Sequence, residues 1–256
     1  MKAARINKFG PPEVVVIEDL SRPNPGAGGL LVRVRAARVA PWDAITREGK
    51  SKVSPPPPLT LGSDLSGISG IVEEVGAGVT DFRVGHDVYG VTNAQFCGAH
   101  AEFAVASAGM VAKKPRSLSH LEGASVPVVA VTAWQMLFEY AHVVAGQSVL
   151  ILGAGGNVGA YAVQFAARTG LDTVAIAGSK DLDFAWSLGA KTTLDYRAVN
   201  FEEAIPPVDV LIDTVGGETL ERSFGKLNPA VSWFRWSPQS PCHDVLVCAP
   251  YSSTQM

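Results

Sequence analysis

The feature that most constrains the fold is a short apolar run, residues 149–152, that leads through glycine-rich positions into an amphipathic stretch. The run is typical of a buried strand, and the stretch after it is typical of a helix. The turn between them has the pattern Ala154-x-Gly156-x-x-Gly159, with alanine at a position that is usually glycine. Because a helix N-terminus offers free N–H groups to phosphate, the segment predicts a dinucleotide-binding turn. The candidate binding residues are Ala154, Gly155, Gly156, Asn157, Val158 and Gly159.

The alternative is a tight turn that binds no ligand, and the residues around the turn bear on the choice. Strands and helices alternate from residue 121 to about residue 224, and the strands are short and apolar. This pattern predicts a parallel sheet covered by helices on both faces, which is the usual setting of a dinucleotide-binding turn. The predicted strands are 149–152, 173–177, 191–194 and 208–213; the predicted helices are 128–140, expected to be buried, 157–168, 180–188 and 218–224.

The end of the next predicted strand bears on which nicotinamide cofactor is used. Enzymes that use NAD place Asp or Glu about 20 residues beyond the glycine pattern, where the carboxylate binds ribose hydroxyls. Here Gly178, Ser179 and Lys180 follow the strand, and the first carboxylate is that of Asp181. Ser179 and Lys180 can donate hydrogen bonds to a 2′-phosphate, so the sequence favours NADPH over NADH. Ser179 can also serve as a helix N-cap, with Asp181 in the first turn of that helix.

The first 120 residues contain short runs of Val, Ile and Arg separated by Pro, Gly and Asn clusters. This rhythm predicts strands joined by turns. We therefore expect a β-rich domain at 1–122 and an α/β domain at 123–230. After Ala230 the periodicity stops, apart from 245–247, and residues 231–256 are treated as an aberrant tail. The strands predicted in the first domain are 2–7, 14–18, 31–39, 66–75 and 101–105.

Charge and composition exclude several classes of function. The net charge is −3 and no basic block is present, so neither nucleic acid nor a membrane surface is expected as a partner. No apolar run reaches the length of about 18 residues that a membrane span needs, and residues 1–10 do not look like a secretory signal. Cys97, Cys242 and Cys248 have neither metal-ligand spacing nor a disulfide framework. These features favour a cytoplasmic, reduced setting.

A specific resemblance over residues 1 to about 230 rests on eight segments, in order: 1–3, 61–67, 75–79, 84–90, 132–134, 188–190, 195–197 and 213–217. The chain resembles the quinone oxidoreductase, or zeta-crystallin-like, branch of the medium-chain dehydrogenase/reductase superfamily. The resemblance implies an N-terminal GroES-like β-barrel, a Rossmann-type domain that binds NADPH, and a homodimer. It also implies that Thr132 lies near the nicotinamide, that Val215 borders the cofactor and that Tyr196 joins Ser179 and Lys180 at the 2′-phosphate.

The zinc-dependent relatives need a cysteine thiolate, a histidine and a third ligand. Where they carry the cysteine, this chain has the segment 40–43, Ala-Pro-Trp-Asp, and where they carry Gly-His-Glu it has Gly62-Ser63-Asp64. The lobe with four cysteines is missing. We therefore expect no metal site and interpret the scattered histidines as surface or capping groups. They are His86, His100, His120, His142 and His243.

Without a metal to polarise an oxygen atom, alcohol oxidation is difficult, whereas hydride transfer to an electrophilic acceptor is not. The sequence thus favours reduction of a quinone or an α,β-unsaturated carbonyl compound. Tyr89 and Asp43 are weak candidates for a catalytic acid by resemblance, although barrel packing for Tyr89 and a structural acceptor role for Asp43 are stronger interpretations. Many relatives have asparagine where this chain has Ala40, so this chain lacks one possible hydrogen-bond donor of the substrate cleft.

The chain after Ala230 departs from the pattern of the relatives, which continue with a strand that begins Gly-Gly. We expect the native fold to end near Ala230 and to leave an unpaired sheet edge, with poor solubility or weak cofactor affinity. Two further functions therefore stay open beside the reductase: an inactive or cofactor-binding fragment, and an enoyl-thioester reductase.

Overall fold

The computed structural model describes residues 1–62, 68–228, 231–236 and 245–250. The chain divides into two compact units, Met1–Val128 and Val129–Met256. The division falls after Val128, whereas the sequence placed it after residue 122.

Antiparallel sheets make up the described part of the first unit. Its strands are β1 (Lys2–Ile6), β2 (Val15–Asp19), β3 (Gly29–Ala37), β4 (Leu59–Thr60), β5 (Ile68–Val75), β6 (Asp87–Gly90), β7 (Phe103–Ser107) and β8 (Val111–Lys113). β1 lies between β2 and β4, and a five-stranded sheet has the order β7-β3-β5-β6-β8. Leu30, Val32, Ile68 and Val88 are fully buried between these strands.

The five strands predicted for this region are confirmed to within two residues at their ends. Residues 66 and 67 of the fourth prediction lie outside the described residues. β4, β6 and β8 were not predicted, because runs of two to four residues are too short to show alternation. Two α-helices, α1 (Pro41–Arg47) and α2 (His120–Ser125), accompany the sheets in the described part of this unit.

The second unit contains the predicted parallel sheet. Its parallel strands are β9 (Ser148–Leu152), β10 (Asp172–Ala177), β11 (Thr192–Asp195) and β12 (Val210–Asp213), in the order β11-β10-β9-β12. The helices are α3 (Pro127–Trp134), continued by a π-helical segment (Gln135–Tyr140), α4 (Asn157–Thr169), α5 (Leu182–Ser187), α6 (Phe201–Ala204) and α7 (Gly217–Ser223). The short helix α6 was not predicted.

Helices cover both faces of this sheet, as predicted, because β9 is apolar at every buried position. Val149 and Ile151 point to one side and pack with residues of α3, α4 and α5. Leu150 and Leu152 alternate to the other side, where Phe201 of α6 packs in the same cluster. β10 and β11 lie on one side of β9 and β12 on the other, so the strand order reverses at β9. In such sheets the carboxyl ends at the reversal form the ligand crevice.

Two expectations for this unit are corrected. The helix predicted at 128–140 is only partly buried: Val131 and Trp134 are about half exposed, 54% and 49%. When a helix is apolar on all sides, its sequence does not show which side chains pack against a neighbouring element. The Trp134 side chain packs on Phe138, one turn further along the same helix, with ring centroids 4.3 Å apart.

The second correction concerns the sheet edge at β12, which is not unpaired. Residues of the segment treated as a tail form β13 (Val231–Trp236) and β14 (Val245–Pro250), which pair antiparallel with each other. β14 also pairs antiparallel with Leu211, Ile212 and Asp213 of β12. The sheet therefore has two further strands in a region where the sequence shows almost no periodicity.

Candidate functional site

The turn after β9 is fastened to the neighbouring strand. The N–H groups of Gly153 and Ala154 both donate to the carbonyl oxygen of Ile176 in β10, at 3.0 and 2.9 Å, and the N–H of Gly156 donates to the carbonyl of Gly153 at 2.9 Å. Gly156 is the N-cap of α4 and has no side chain to cap it. The first N–H groups of a 13-residue helix therefore face the carboxyl end of β9 without a side-chain partner, which is the arrangement that binds phosphate.

Close packing explains the residue types in this turn. A methyl group on Gly159 would overlap the carbonyl oxygen of Gly153 and lie 2.9 Å from Cα of Ala154, so only glycine fits. Ala154 is fully buried and its methyl group belongs to the core cluster beneath the turn, which accounts for alanine at a position that is usually glycine. Asn157 is exposed, and Val158 packs partly against the same core.

The loop after β12 lies directly beside this turn. Gly153 has φ +76°, and a methyl group there would lie 2.7 Å from Cγ2 of Val215. Thr214 Oγ1 donates to the carbonyl of Leu152 at 2.8 Å, which ties the loop to the end of β9. Val215 is 54% exposed at this position. An apolar side chain is thus presented to solvent next to the glycine turn, at the reversal of strand order.

A buried carboxylate holds the same loop. Asp213 has no exposed surface, and its oxygens accept hydrogen bonds from the N–H groups of Val215 at 2.9 Å and Gly216 at 3.0 Å. Burial raises the pKa of Asp213, and the two backbone donors oppose that rise. Sequence reasoning quoted this residue in a motif but gave it no role.

The end of β10 places the predicted 2′-phosphate residues beside β11. Ser179 and Lys180 are exposed and directly follow Gly178. Tyr196 donates its N–H to the carbonyl of Ala177 at 3.3 Å, and a methyl group on Gly178 would lie 3.9 Å from Cε1 of Tyr196. The structure thus brings Ser179, Lys180 and Tyr196 to the same strand end.

Two details here differ from the sequence interpretation. Ser179 is the first residue of a 3-10 helix (Ser179–Asp181) that leads into α5, and not its N-cap, which is Gly178. Asp181 lies in the first turn of this 3-10 helix, as expected, and is the N-cap of α5. The side chain of Asp181 also lies against the glycine turn, since a methyl group on Gly155 would be 2.5 Å from its Cβ. The sequence analysis gave Asp181 no contact with the turn; β10 and β9 are neighbouring strands and bring the two together.

The remaining candidates are dispersed. Thr132 is half-buried in α3 of the second unit. Tyr89 and Asp43 belong to the first unit, where Tyr89 is half-buried in β6 and pairs with Ser69 and Ala112. Asp43 is buried, and its Oδ2 accepts a hydrogen bond from the N–H of Ala40 at 2.8 Å, which caps α1. Its carboxylate therefore has the structural role that the sequence favoured.

Comparison with known proteins identifies the family. The alcohol dehydrogenase GroES-like domain matches residues 26–116. The quinone oxidoreductase of Pongo abelii is 33% identical over 236 residues, which is 89% of this chain and 70% of that protein. This chain belongs to the quinone oxidoreductase family. The mitochondrial NAD(P)H oxidoreductase RTN4IP1 of Bos taurus is 33% identical over 246 residues, 86% of this chain and 60% of that protein.

A solved structure supports the same assignment. The quinone oxidoreductase from Coxiella burnetii matches with a TM-score of 0.80 and 33% identity, over 89% of this chain and 73% of that one. As a member of the quinone oxidoreductase family, this chain has a GroES-like first domain and a Rossmann-type second one, as the resemblance implied. The chain is shorter than these relatives.

Two histidines of this quinone oxidoreductase family member make local side-chain contacts. Nε2 of His100 lies 3.1 Å from the carbonyl of Arg38, and Nδ1 of His120 lies 2.7 Å from Oγ of Ser69. Within the described residues, no three His, Cys, Asp or Glu side chains are grouped as metal ligands. Ser63 and Asp64, which replace two zinc-ligand positions, lie outside that part of the chain, as do His243 and Cys242. Across the described chain, no helix has both the length and the apolarity needed to cross a membrane.

Proposed function

We propose that this chain is an NADPH-dependent oxidoreductase that transfers hydride to a quinone or an α,β-unsaturated carbonyl compound without a metal ion. The observation that carries the proposal is the open N-terminus of α4 next to exposed Ser179 and Lys180 at the end of β10. Membership of the quinone oxidoreductase family supports the reaction class.

The residues of the turn would bind the pyrophosphate. The N–H groups at the start of α4, from Asn157 to Gly159, would donate to its oxygens, and the helix dipole adds about half a positive charge there. Gly156 has only the carbonyl of Gly153 close to its missing side chain, at 3.2 Å, so its outer side is open for a phosphate. Gly155 and Val158 complete the turn, and Ala154, which is buried beneath it, supports it from the core.

Other residues of the second unit would orient the rest of the cofactor. Ser179, Lys180 and the phenol of Tyr196 would bind the 2′-phosphate, Thr132 would lie near the nicotinamide ring, and Val215 would border the cofactor. The nicotinamide, when bound, supplies the hydride. The protein contributes mainly by binding and orientation, which can account for a large part of a hydride-transfer rate. Tyr89 remains a candidate proton donor, whereas Asp43 already uses its carboxylate to cap α1.

We further propose that residues 1–122 bind the acceptor and that the domain that begins at residue 123 binds the cofactor, with β13 and β14 as the edge of its sheet. A cytoplasmic homodimer acting on small molecules, with no nucleic-acid or membrane partner, agrees with the net charge of −3. The Ala40-Pro-Trp-Asp43 segment has no thiolate, which supports a mechanism without zinc.

The reaction is tested by following NADPH oxidation with a panel of acceptors: a 1,4-quinone, a simple enone, an enoyl thioester and a saturated ketone. Turnover of the quinone or enone, unchanged after treatment with a chelator, is expected. A marked preference for the thioester would favour an enoyl reductase. Tight NADPH binding without turnover of any acceptor would identify a cofactor-binding fragment.

The cofactor preference has its own test. Lys180→Ala should weaken NADPH binding by roughly tenfold, since a hydrogen bond to a charged group contributes about 1.5–3 kcal/mol, and should change NADH binding little. Arg168→Ala is the matched control, because Arg168 is exposed in the last turn of α4, at the end remote from the glycine turn. Equal losses for NADPH and NADH in the Lys180 variant would contradict the 2′-phosphate assignment.

A further inference from the structure

The side chain of Arg197 is held in place without a carboxylate partner. Its guanidinium carbon lies 4.9 Å from the centroid of the Tyr196 ring, a cation–π arrangement. Among residues 1–62 and 68–228, no acidic side chain is within ion-pair distance of it. Asp195, two residues earlier, instead accepts the backbone N–H of Arg197 at 2.9 Å. The guanidinium is therefore oriented by the ring and keeps its donors available.

The position of the ring determines where this cation lies. β10 and β11 are parallel, with Ala177 opposite Asp195, so Gly178 and Tyr196 are the next positions beyond the paired strand ends. The Tyr196 ring approaches Gly178 at its open side, where no side chain intervenes. The adenosine ribose of a dinucleotide is bound at the end of this second strand. A phosphate on its 2′-oxygen would lie between the Gly178–Lys180 segment and the stacked guanidinium.

We propose that Arg197 is a specificity-determining residue for NADPH. Its guanidinium donates hydrogen bonds to two oxygens of the 2′-phosphate, and stacking on the Tyr196 ring fixes the orientation of the guanidinium plane. This inference rests on the proposed function, because it assigns one more ligand at the same cofactor. A guanidinium is better suited to this than an ammonium, since its planar donors match phosphate oxygens in pairs. Lys180 then supplies a second positive charge from the end of the neighbouring strand β10, at the same edge of the sheet. Together the two cations offset the carboxylate of Asp181, which lies against Gly155.

The experiment compares the dissociation constants of NADPH and NADH for the wild type, Arg197→Ala and the control Arg168→Ala, using the whole chain and fluorescence titration. Arg197→Ala is expected to weaken NADPH binding by roughly tenfold to a hundredfold and NADH binding by less than about twofold. Arg197→Lys should recover part of the loss, because charge is restored but the fork is not. Arg168→Ala should leave both constants unchanged.

A second pair of variants tests the role of the ring. Tyr196→Phe keeps the stacking surface and should retain the contribution of Arg197, whereas Tyr196→Ala should lose it. In a double-mutant cycle, Arg197→Ala added to Tyr196→Ala should then cost little further NADPH affinity. Full additivity in that cycle would overturn the stacking part of the proposal.

The outcomes separate this inference from the proposed function. If the wild type prefers NADPH and Arg197→Ala leaves that preference intact, Arg197 is not a ligand and only this inference fails. If the wild type binds NADPH no better than NADH, the cofactor assignment and this inference both fail. Arg197→Ala is also compared with the wild type at rising salt concentration. If both lose the preference for NADPH over NADH, the result supports a charge-based contact.

Discussion

The carboxylate of Asp213 accepts hydrogen bonds from the N–H of Gly216 through both of its oxygens, each at 3.0 Å. A fully buried carboxylate has a high desolvation cost, and no cation offsets it among the ion pairs of the described residues. Its partners are the backbone groups of the loop that lies over Gly153. The Asp213 carboxylate therefore holds the loop that forms the wall of the crevice at the reversal of strand order. It does not bond to a distant segment through these contacts.

Asp213→Asn should both destabilise the fold and weaken the cofactor site. The amide has one acceptor oxygen where the carboxylate has two, so a buried polar group loses its partner at a cost of about 1–3 kcal/mol. Denaturant unfolding should show that loss, and NADPH titration should show weaker binding because Val215 is in the same loop. Unchanged stability and unchanged affinity would together show that the carboxylate is dispensable.

The raised pKa of Asp213 predicts that the free energy of unfolding depends on pH. Because burial raises the pKa of this carboxyl, the folded protein holds the proton more tightly than the unfolded chain does. Its contribution to stability is then full below the unfolded pKa of about 3.9 and is lost as pH rises through the folded pKa. The unfolding free energy of the wild type minus that of Asp213→Asn should decrease with rising pH in this window. A constant difference would contradict the raised pKa.

The pKa of Asp209, which directly precedes β12, is shifted in the opposite direction. Its Oδ2 accepts from the N–H and the hydroxyl of Ser148, each at 2.8 Å, and Oδ1 accepts from Asn228 at 2.7 Å. The backbone N–H of Ser148 is the main reason why the pKa of Asp209 is lowered. Its stabilisation is therefore present above the unfolded pKa of about 3.9 and is lost as pH falls through the folded pKa.

The experiment on Asp209 uses the same substitution and the same pH series. The unfolding free energy of the wild type minus that of Asp209→Asn should increase with rising pH, and should reach about 1–3 kcal/mol near neutrality. The two aspartates must therefore give slopes of opposite sign. Slopes of the same sign would mean that the direction of at least one of the two pKa shifts is wrong.

Much of the second unit could be predicted from sequence because its signals are local. The apolar run at β9, the glycines after it and the helix periodicity each depend on neighbours within a few residues. The close approach of Gly159 to Gly153 is part of that local pattern. The GroES-like first domain was reached by resemblance, since its short strands leave little alternation to read.

The features that were missed depend on contacts between distant segments. Arg197 follows a predicted ligand directly in the sequence, but only the contact of the Tyr196 ring with Gly178 shows that its charge lies near the end of β10. The contact of Asp181 with Gly155 arises because β9 and β10 are paired, and spacing along one strand cannot show it. β13 and β14 pair through backbone groups, which any sequence possesses, so weak side-chain periodicity did not reveal them.

A hydrogen bond between His120 and Ser69 gives the first unit its own pH dependence. Nδ1 of His120 lies 2.7 Å from the buried Oγ of Ser69, and the Asp87 carboxylate lies 3.6 Å from Nε2. Burial lowers the pKa of His120 although Asp87 opposes the change. The unfolded chain then binds the proton more readily, so stability is lost as pH falls from about 6.5 towards the folded pKa.

His120→Asn isolates this effect, because its amide can keep the bond to Ser69 but does not titrate. Thermal unfolding measured between neutral and mildly acidic pH should show a steeper loss for the wild type than for the variant. His120→Ala should be less stable than the asparagine variant at neutral pH, since it removes the hydrogen bond as well. Parallel curves for the wild type and His120→Asn would exclude titration of this histidine as the cause.

The last prediction separates the two roles of glycine in the turn by the same substitution at two positions. In Gly159→Ala the new methyl group meets backbone atoms of Gly153 and Ala154, which cannot move without displacing α4 from β9. Overpacking of this kind costs about 1–3 kcal/mol, so stability and NADPH affinity should both fall.

In Gly156→Ala the atom nearest to the new methyl group is the carbonyl oxygen of Gly153, at 3.2 Å. The φ angle of Gly156 is −79°, which alanine adopts readily, so the unfolding free energy should hardly change. The methyl group would instead occupy the space proposed for the pyrophosphate, and NADPH affinity alone should fall by roughly tenfold or more. If Gly156→Ala binds NADPH as tightly as the wild type, the cofactor does not approach the turn at this residue, and the open N-terminus of α4 is not its phosphate site.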